Sequence, residues 1–122
     1  KNMTYDNNNI FAKILREEIP CKKIYENEHA LAFHDLNPQA KIHILVIPKG
    51  KYISFADFSK NAPKDEIEGF FKAVGKVAED QDLIGDGYRI LANHGVNAGQ
   101  EVPHFHVHIF GKQSLGPMIS KT

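Results

Sequence analysis

The segment His104–Gly111, HFHVHIFG, carries three histidines at alternate positions. Alternate side chains of a strand point to the same face, so the pattern predicts one imidazole face and one apolar face. We expect the apolar side chains, Phe105, Val107 and Ile109, to be covered by a helix. The imidazole face is then left for solvent, a ligand or a partner. A half-exposed strand rarely carries three histidines in this order by chance, so the pattern indicates a functional site.

Two chemistries suit such a row. Neighbouring histidines on a strand face stand ~6.6 Å apart, at ~3.3 Å per residue, so two can share a zinc ion. A third ligand would then come from elsewhere, with His43 and His94 as candidates. Alternatively, one imidazole attacks phosphorus while its neighbours hold phosphate oxygens, and the loop NAGQEVP before the strand adds backbone amides. The residues favour the phosphate chemistry.

Composition limits the class of protein. A chain of 122 residues fits one domain, and 15 acidic residues balance 15 basic ones. The absence of a basic excess argues against a binder of duplex nucleic acid. The single cysteine, Cys21, excludes an internal disulfide and a multi-cysteine zinc site, and favours a reducing compartment. No apolar run reaches the ~18 residues of a membrane span, so we predict a cytoplasmic protein that does not enter membranes.

The elements that must position the histidines can be predicted from periodicity and turn residues. We predict a flexible arm at residues 1–8 and a single α+β domain with an antiparallel sheet at residues 9–122. The predicted elements are a short helix that starts at residue 9 and is stopped by Pro20, strands at 22–27, 30–36, 42–47, 88–93 and 104–110, a helical turn at 54–59, and a long helix from Pro63 to the glycines at 85–87.

The motif His-apolar-His-apolar-His, followed by two apolar residues, resembles the signature of the histidine triad (HIT) superfamily. The stretches IFAKILREEIP, LAFHDLNPQAKIHILVIPK and GQEVPHFHVHIFG resemble its histidine triad nucleotide-binding (Hint) branch, over residues 9–112. The resemblance implies a five-stranded antiparallel sheet with one long and one short helix, and a homodimer. It further implies a hydrolase that binds purine nucleoside monophosphates and cleaves nucleoside 5′-phosphoramidates without metal or cofactor.

The resemblance also assigns roles to residues. His106 becomes the nucleophile that forms a nucleotidyl-imidazole intermediate, while His104 and His108 hold phosphate oxygens or steer protons. His43 lies near the same phosphate, and Asp35 grips the ribose hydroxyls. The remaining positions follow by function: Ile14, Phe33 and Leu36 around the base, Asn93 beside the phosphate, and Gly99, Gln100 and Glu101 on the leaving-group side.

The sequence departs from the family in several places, including the tail after Gly111, which differs from the tryptophan-bearing tail of well-known relatives, and three alternatives stay open. Glu101 stands where many relatives have serine, and Pro103 stands where an aromatic residue is common, so regular strand pairing should start at or after His104. The alternatives are a dinucleoside polyphosphate hydrolase, a nucleotide- or partner-binding module with weak turnover, and a metal-binding protein. The extra cysteines of zinc-binding relatives are missing from IFAKI, so no structural zinc is expected.

Overall fold

The computed structural model describes residues 4–120, which form one five-stranded antiparallel sheet with helices against it. The strands are β1 Lys23–Glu26, β2 Ala30–His34, β3 Ile42–Pro48, β4 Tyr88–Leu91 and β5 Val107–Gly111; the helices are α1 Ile10–Leu15, α2 Phe55–Asn61 and α3 Lys64–Asp80, with a 3₁₀ turn at Val96–Ala98. Their order in the sheet is β1-β2-β3-β5-β4. The predicted α+β fold with a five-stranded antiparallel sheet is confirmed, although the predicted helical turn at 54–59 is a full helix.

Helix α1 is short because its sequence both caps and ends it. The Asn9 side chain accepts a hydrogen bond from the Ala12 amide at 2.9 Å, which satisfies one free N–H group of the first turn. The helix ends at Leu15, before the predicted stop at Pro20, and Glu17 then adopts a left-handed φ of 64°. Phe11 is buried and faces the sheet, which places this helix over the histidine row.

The main core lies between α3 and one face of the sheet, the face that points away from α1 and the His106 ring. The apolar side chains of the last strand segment, Phe105, Val107 and Ile109, are buried in one cluster with Phe70 and Val74 of α3. This confirms the predicted cover of the apolar face by the long helix. Helix α3 ends at Asp80, before the glycines at 85–87 where its end was predicted. The chain then turns and enters β4 at Tyr88.

Strand β5 begins at Val107, three residues later than predicted. Pro103 has no amide to donate, and the Phe105 amide donates to the Tyr52 carbonyl rather than to a neighbouring strand. Only His108 of the row therefore lies in the β-ladder. The prediction that the histidines form one accessible face is wrong for His104, which is fully buried.

Two predictions concern the ends and surroundings of the chain. Residues 4–8 form no helix or strand, while 1–3 lie outside the described residues, so the flexible arm stays a prediction, as do the domain limits. Within residues 4–120, none of the helices combines the length and the apolar character that a membrane crossing needs. The cytoplasmic location stays a prediction.

Candidate active site

His106 lies at the centre of the site with one ring nitrogen committed to the protein. Its Nδ1 stands 2.7 Å from the His104 carbonyl oxygen, which can only accept, so Nδ1 carries the proton. In the neutral ring, Nε2 therefore keeps its lone pair. Burial lowers the pKa of His106, which keeps the ring neutral near pH 7. The residue is 8% exposed and lines a cavity.

His43 and His108 form a hydrogen-bonded pair whose proton positions follow from one backbone amide. The Gln39 amide donates to His43 Nδ1 at 3.1 Å, so His43 carries its proton on Nε2. That Nε2 stands 2.9 Å from His108 Nδ1, which accepts. His108 consequently carries its proton on Nε2, as a donor. Burial, with nearby His106, lowers the pKa of His108 to about 4, so the ring is neutral at pH 7.

Asp35 stands beside this pair at the end of β2. Its Oδ2 lies 3.4 Å from His43 Nε2, and its Oδ1 accepts from the Asn37 amide at 2.8 Å in a tight turn. Burial lowers the pKa of His43, and the Asp35 charge opposes that change. The carboxylate thus supplies a negative charge and an acceptor at the edge of the site.

His104 has a different environment from the other histidines. Its Nε2 lies 2.9 Å from the Pro48 carbonyl oxygen, and its Nδ1 lies 2.5 Å from the Tyr5 hydroxyl. Both ring nitrogens are therefore taken by protein atoms. Burial lowers the pKa of this ring to about 4. The arrangement offers no free nitrogen to hold a phosphate oxygen, the role that the resemblance implied for this residue.

Two adjoining cavities hold most of the predicted site residues. One, of about 210 Å³, is lined by Asp35, Asn93, Gly99, Gln100, Glu101, His106 and His108 among others. The second, of about 120 Å³, is almost entirely apolar and is lined by Ile14, Phe33 and Leu36 among others. Phe11, Asp35 and Leu45 line both. The site thus offers a polar compartment that contains His106, and an apolar compartment beside it.

The loop before the histidine row closes the polar cavity. Gly99 ends the 3₁₀ turn with φ 72°, a conformation that favours glycine. The Gln100 side chain accepts from the Gly95 amide and donates to the Ile53 and Val102 carbonyls. The Gln100 side chain therefore holds the loop in place by hydrogen bonds, while Glu101 remains exposed at the rim of the cavity.

A larger cavity of about 460 Å³ lies on the other side of Ile14 and Cys21 and contains none of the histidines. Its polar lining includes Glu26, which pairs with Lys49 at 2.6 Å and with Lys23 at 2.9 Å. Glu26 is therefore engaged by two lysines, whereas His106 and His108 line the smaller polar cavity.

A possible metal-ligand group differs from the one considered from the sequence. Ligand atoms of Asp35, His43 and His108 all lie within 4.8 Å of one another. From the sequence, two histidines of the row and either His43 or His94 were the candidate ligands. The group contains His43 but not His94, and it has one histidine of the row, His108, together with Asp35. Carboxylate and imidazole suit zinc. In this group, His43 Nε2 donates to His108 Nδ1, and Asp35 Oδ2 lies 3.4 Å from the same His43 nitrogen.

Sequence reasoning missed three contributors to the site. Gln39 acts through its backbone amide and Pro48 through its carbonyl, so neither side chain gives a signal. Phe11 contacts the His106 ring edge-to-face at 5.0 Å and lines both cavities. Its place on the apolar face of α1 looked like that of an ordinary core residue.

The fold and the row of histidines define a histidine triad protein. A model of the HIT domain family matches residues 16–115, and the chain belongs to this family. An uncharacterized 13.2 kDa HIT-like protein of Azospirillum brasilense is 62% identical over 118 residues, 97% of each chain. The purine nucleoside phosphoramidase of Escherichia coli K12 is 39% identical, covering 91% of this chain and 92% of its own. A histidine triad protein from Clostridium difficile superposes with a TM-score of 0.81 at 38% identity, over 93% of this chain and 98% of that one.

Proposed function

We propose that this protein is a purine nucleotide-binding hydrolase of the Hint branch, which cleaves nucleoside 5′-phosphoramidates through a nucleotidyl intermediate on His106. The observation that carries the proposal is the hydrogen bond from His106 Nδ1 to the His104 carbonyl, 2.7 Å long. It leaves the lone pair on Nε2 of a ring that lines the polar cavity. The relative in Escherichia coli, a purine nucleoside phosphoramidase, supports the substrate class.

The two cavities suit the parts of such a substrate. The apolar cavity, with Ile14, Phe33 and Leu36, takes the purine, because a flat base gains most from burial against apolar side chains. Asp35 lines both cavities and accepts from the ribose hydroxyls. The phosphate then meets His106 in the polar cavity, with Asn93 and the loop Gly99–Glu101 around it.

The reaction proceeds in two balanced steps. The lone pair of His106 Nε2 attacks phosphorus and the P–N bond breaks; the departing nitrogen takes a proton from solvent and accepts a hydrogen bond from the Nε2–H of the neutral His108 ring. Water then attacks phosphorus, returns one proton to solvent, and breaks the P–Nε2 bond to release the nucleoside monophosphate. During the intermediate the His106 ring is cationic, and its Nδ1–H still donates to the His104 carbonyl. His43 keeps His108 in the correct tautomer.

Hydrolysis of adenosine 5′-phosphoramidate tests the proposal. We expect activity in the native protein, with or without chelator, and a loss of about 10³-fold or more in His106→Ala. His29→Ala is the matched control, because His29 hydrogen-bonds no triad residue and packs against Gly69 of α3. A quenched reaction should give protein heavier by one nucleotidyl group. Full activity in His106→Ala would exclude the nucleophile role.

The same assay separates the alternatives. A dinucleoside polyphosphate hydrolase would turn over diadenosine polyphosphates faster than the phosphoramidate. A nucleotide- or partner-binding module would bind adenosine monophosphate tightly while its turnover stays close to that of His106→Ala. The proposed nitrogen leaving group fits the Nε2–H that the neutral His108 ring presents, since the departing amine nitrogen carries a lone pair that accepts a hydrogen bond.

We also propose the homodimer that the resemblance implies. Strand β4 is an edge strand, and its Tyr88 and Ile90 side chains are 39% and 46% exposed. An apolar hollow beside it is lined by Phe55 and Phe71, also partly exposed. An uncovered edge with apolar side chains favours pairing with a second copy. Light scattering should give twice the chain mass, and Ile90→Lys should halve it; a monomeric native protein would contradict this proposal.

Metal binding is the second candidate, favoured by the convergence of Asp35, His43 and His108. Equilibrium dialysis with zinc after chelation tests it. A binding protein would take up one equivalent that is lost in His43→Ala, and its phosphoramidase activity would depend on the metal. Our leading proposal expects the hydrolysis rate to be unchanged by the chelator.

A further inference from the structure

The segment that precedes α1 contacts the first histidine of the row. The Tyr5 hydroxyl stands 2.5 Å from His104 Nδ1, and the two rings meet edge-to-face with centroids 5.6 Å apart. Nothing in the two-step reaction uses this tyrosine directly.

The hydrogen-bond partners fix a single arrangement of protons. The Pro48 carbonyl can only accept, so His104 Nε2 carries a proton, and the neutral ring has its lone pair on Nδ1. The Tyr5 hydroxyl therefore donates to Nδ1. Burial raises the pKa of the Tyr5 phenol and lowers that of His104, which keeps both groups in these neutral forms.

His104 needs this support because it lies outside the β-ladder, which starts at Val107. The peptide that follows it is held on one side by the Phe105 amide, which donates to the Tyr52 carbonyl at 2.7 Å. The His104 amide donates to the Val102 carbonyl at 2.8 Å, and the His104 ring adds two anchors, to Pro48 and to Tyr5. The carbonyl of this same residue accepts from His106 Nδ1. The ring of His104 thus holds the backbone group that orients the nucleophile.

The chain around Tyr5 is held in place by its own turn. The Asn9 amide and side chain both donate to the Asp6 carbonyl, at 3.1 and 2.7 Å. The Arg16 guanidinium donates to the Asn7 carbonyl at 2.8 Å. These bonds join the segment to both ends of α1, so the tyrosine is presented to His104 by an anchored piece of backbone.

We propose that Tyr5 is a positioning residue for the reaction: its hydroxyl locks the His104 ring, and the His104 carbonyl in turn holds His106 in its attacking orientation. The attack step rests on the proposed function. The bond between Tyr5 and His104 is a feature of the fold and can be tested without substrate.

Tyr5→Phe removes the hydroxyl and keeps the ring. We expect kcat on adenosine 5′-phosphoramidate to fall about three- to tenfold, with KM within about twofold, because the substrate cavities do not include Tyr5. Tyr52→Phe is the matched control: it removes a hydroxyl that donates to Glu66 at 2.6 Å but keeps the backbone carbonyl beneath Phe105. It should lower the melting temperature at least as much as Tyr5→Phe while kcat stays unchanged.

A combined variant separates positioning from simple loss of stability. If Tyr5 acts through His104, then Tyr5→Phe should cause no further fall of kcat in a His104→Gln background. A further fall of the same size as in the native background would overturn the proposal. So would an equal fall of kcat in Tyr52→Phe.

Histidine nitrogen spectra by NMR give a readout independent of activity. The native protein should show one tautomer at each ring, with the proton on Nε2 of His104 and on Nδ1 of His106. In Tyr5→Phe, the His104 Nδ1 signal should shift and the His106 Nδ1 proton should exchange faster with water. Unchanged exchange would overturn the proposal. If the native protein does not hydrolyse the phosphoramidate, the proposed function fails and these spectra alone decide the role of Tyr5.

Discussion

The two ends of the histidine row differ in almost everything except residue type. His104 is fully buried, precedes the β-ladder, and has both ring nitrogens bonded to protein atoms. His108 is half-buried, lies within β5, and has one nitrogen bonded to His43 while its ring lines the polar cavity. The same side chain therefore serves to hold the backbone at one end and to present a proton at the other. Partners, rather than spacing, decide the role.

Removing the hydrogen-bond donor tests the His108 end and should have a large effect on catalysis. We expect His108→Ala to lower kcat about 10²-fold on adenosine 5′-phosphoramidate, because the departing amine loses the hydrogen bond from His108 Nε2–H. The loss should shrink on a nucleoside phosphoramidate with a weakly basic arylamine leaving group. Steady-state kinetics on both substrates measure the difference. Equal losses on the two would show that His108 does not assist the departing amine.

Removing the buried ring tests the His104 end through stability. We expect His104→Ala to lower the free energy of unfolding by about 3 kcal/mol, since it opens a cavity and leaves the Pro48 carbonyl and the Tyr5 hydroxyl without their partner. In His108→Ala the loss should stay below about 1 kcal/mol, because that side chain is partly exposed. Urea unfolding followed by circular dichroism compares the two. Similar losses would contradict the contrast between the ends.

Acid sharpens the same contrast. Burial lowers the pKa of His104 from 6.5 to about 4 in the folded protein, so the unfolded chain binds more protons between these values. The stability contributed by the neutral ring is complete above pH 6.5 and is lost as the pH falls towards 4. Between pH 7 and 4, we expect native protein to lose about 3 kcal/mol more than His104→Ala, at ~1.36 kcal/mol per unit. Parallel pH profiles in urea titrations would refute this.

The smallest effect is expected outside the row, at the exposed rim. Glu101 lines the cavity beside His108 without a fixed partner among residues 4–120. Its charge should favour cationic leaving groups, so Glu101→Ser should lower kcat/KM about two- to threefold more for a cationic amine than for a neutral one. Salt should reduce the difference, because exposed charges are screened. Equal changes on both substrates would remove this role.

Most of the fold was predictable because it depends on short-range patterns. The helical spacing of apolar residues in α3 and the alternation of Phe105, Val107 and Ile109 predicted which two surfaces meet. The structure joins them in one core. The predicted ends of the helices and strands were less accurate: α1 ends at Leu15 rather than near Pro20, and β5 starts at Val107 rather than at His104. Element ends depend on which backbone groups find other partners, and these partners are distant in sequence.

The candidate site was predictable as a set of residues but less so as a set of roles. The polar cavity brings together His106, His108, Asp35 and Glu101, which stand in different parts of the sequence. The tautomers, however, follow from backbone groups at Gln39, Pro48 and His104 itself, which carry no side-chain signal. A sequence pattern records side chains, so contributions of the backbone stay hidden in it.

The sequence by itself determined that three imidazoles share one side of the chain, that the opposite side joins the core, and that the flanks resemble the HIT family. Only the tertiary structure decided which ring is free to react. Burial under α1, the carbonyl of Pro48 and the hydroxyl of Tyr5 occupy His104, while His43 sets the proton on His108. The reason is physical: the chemical role of an imidazole depends on where its proton sits, and that is fixed by partners up to 99 residues away in the chain.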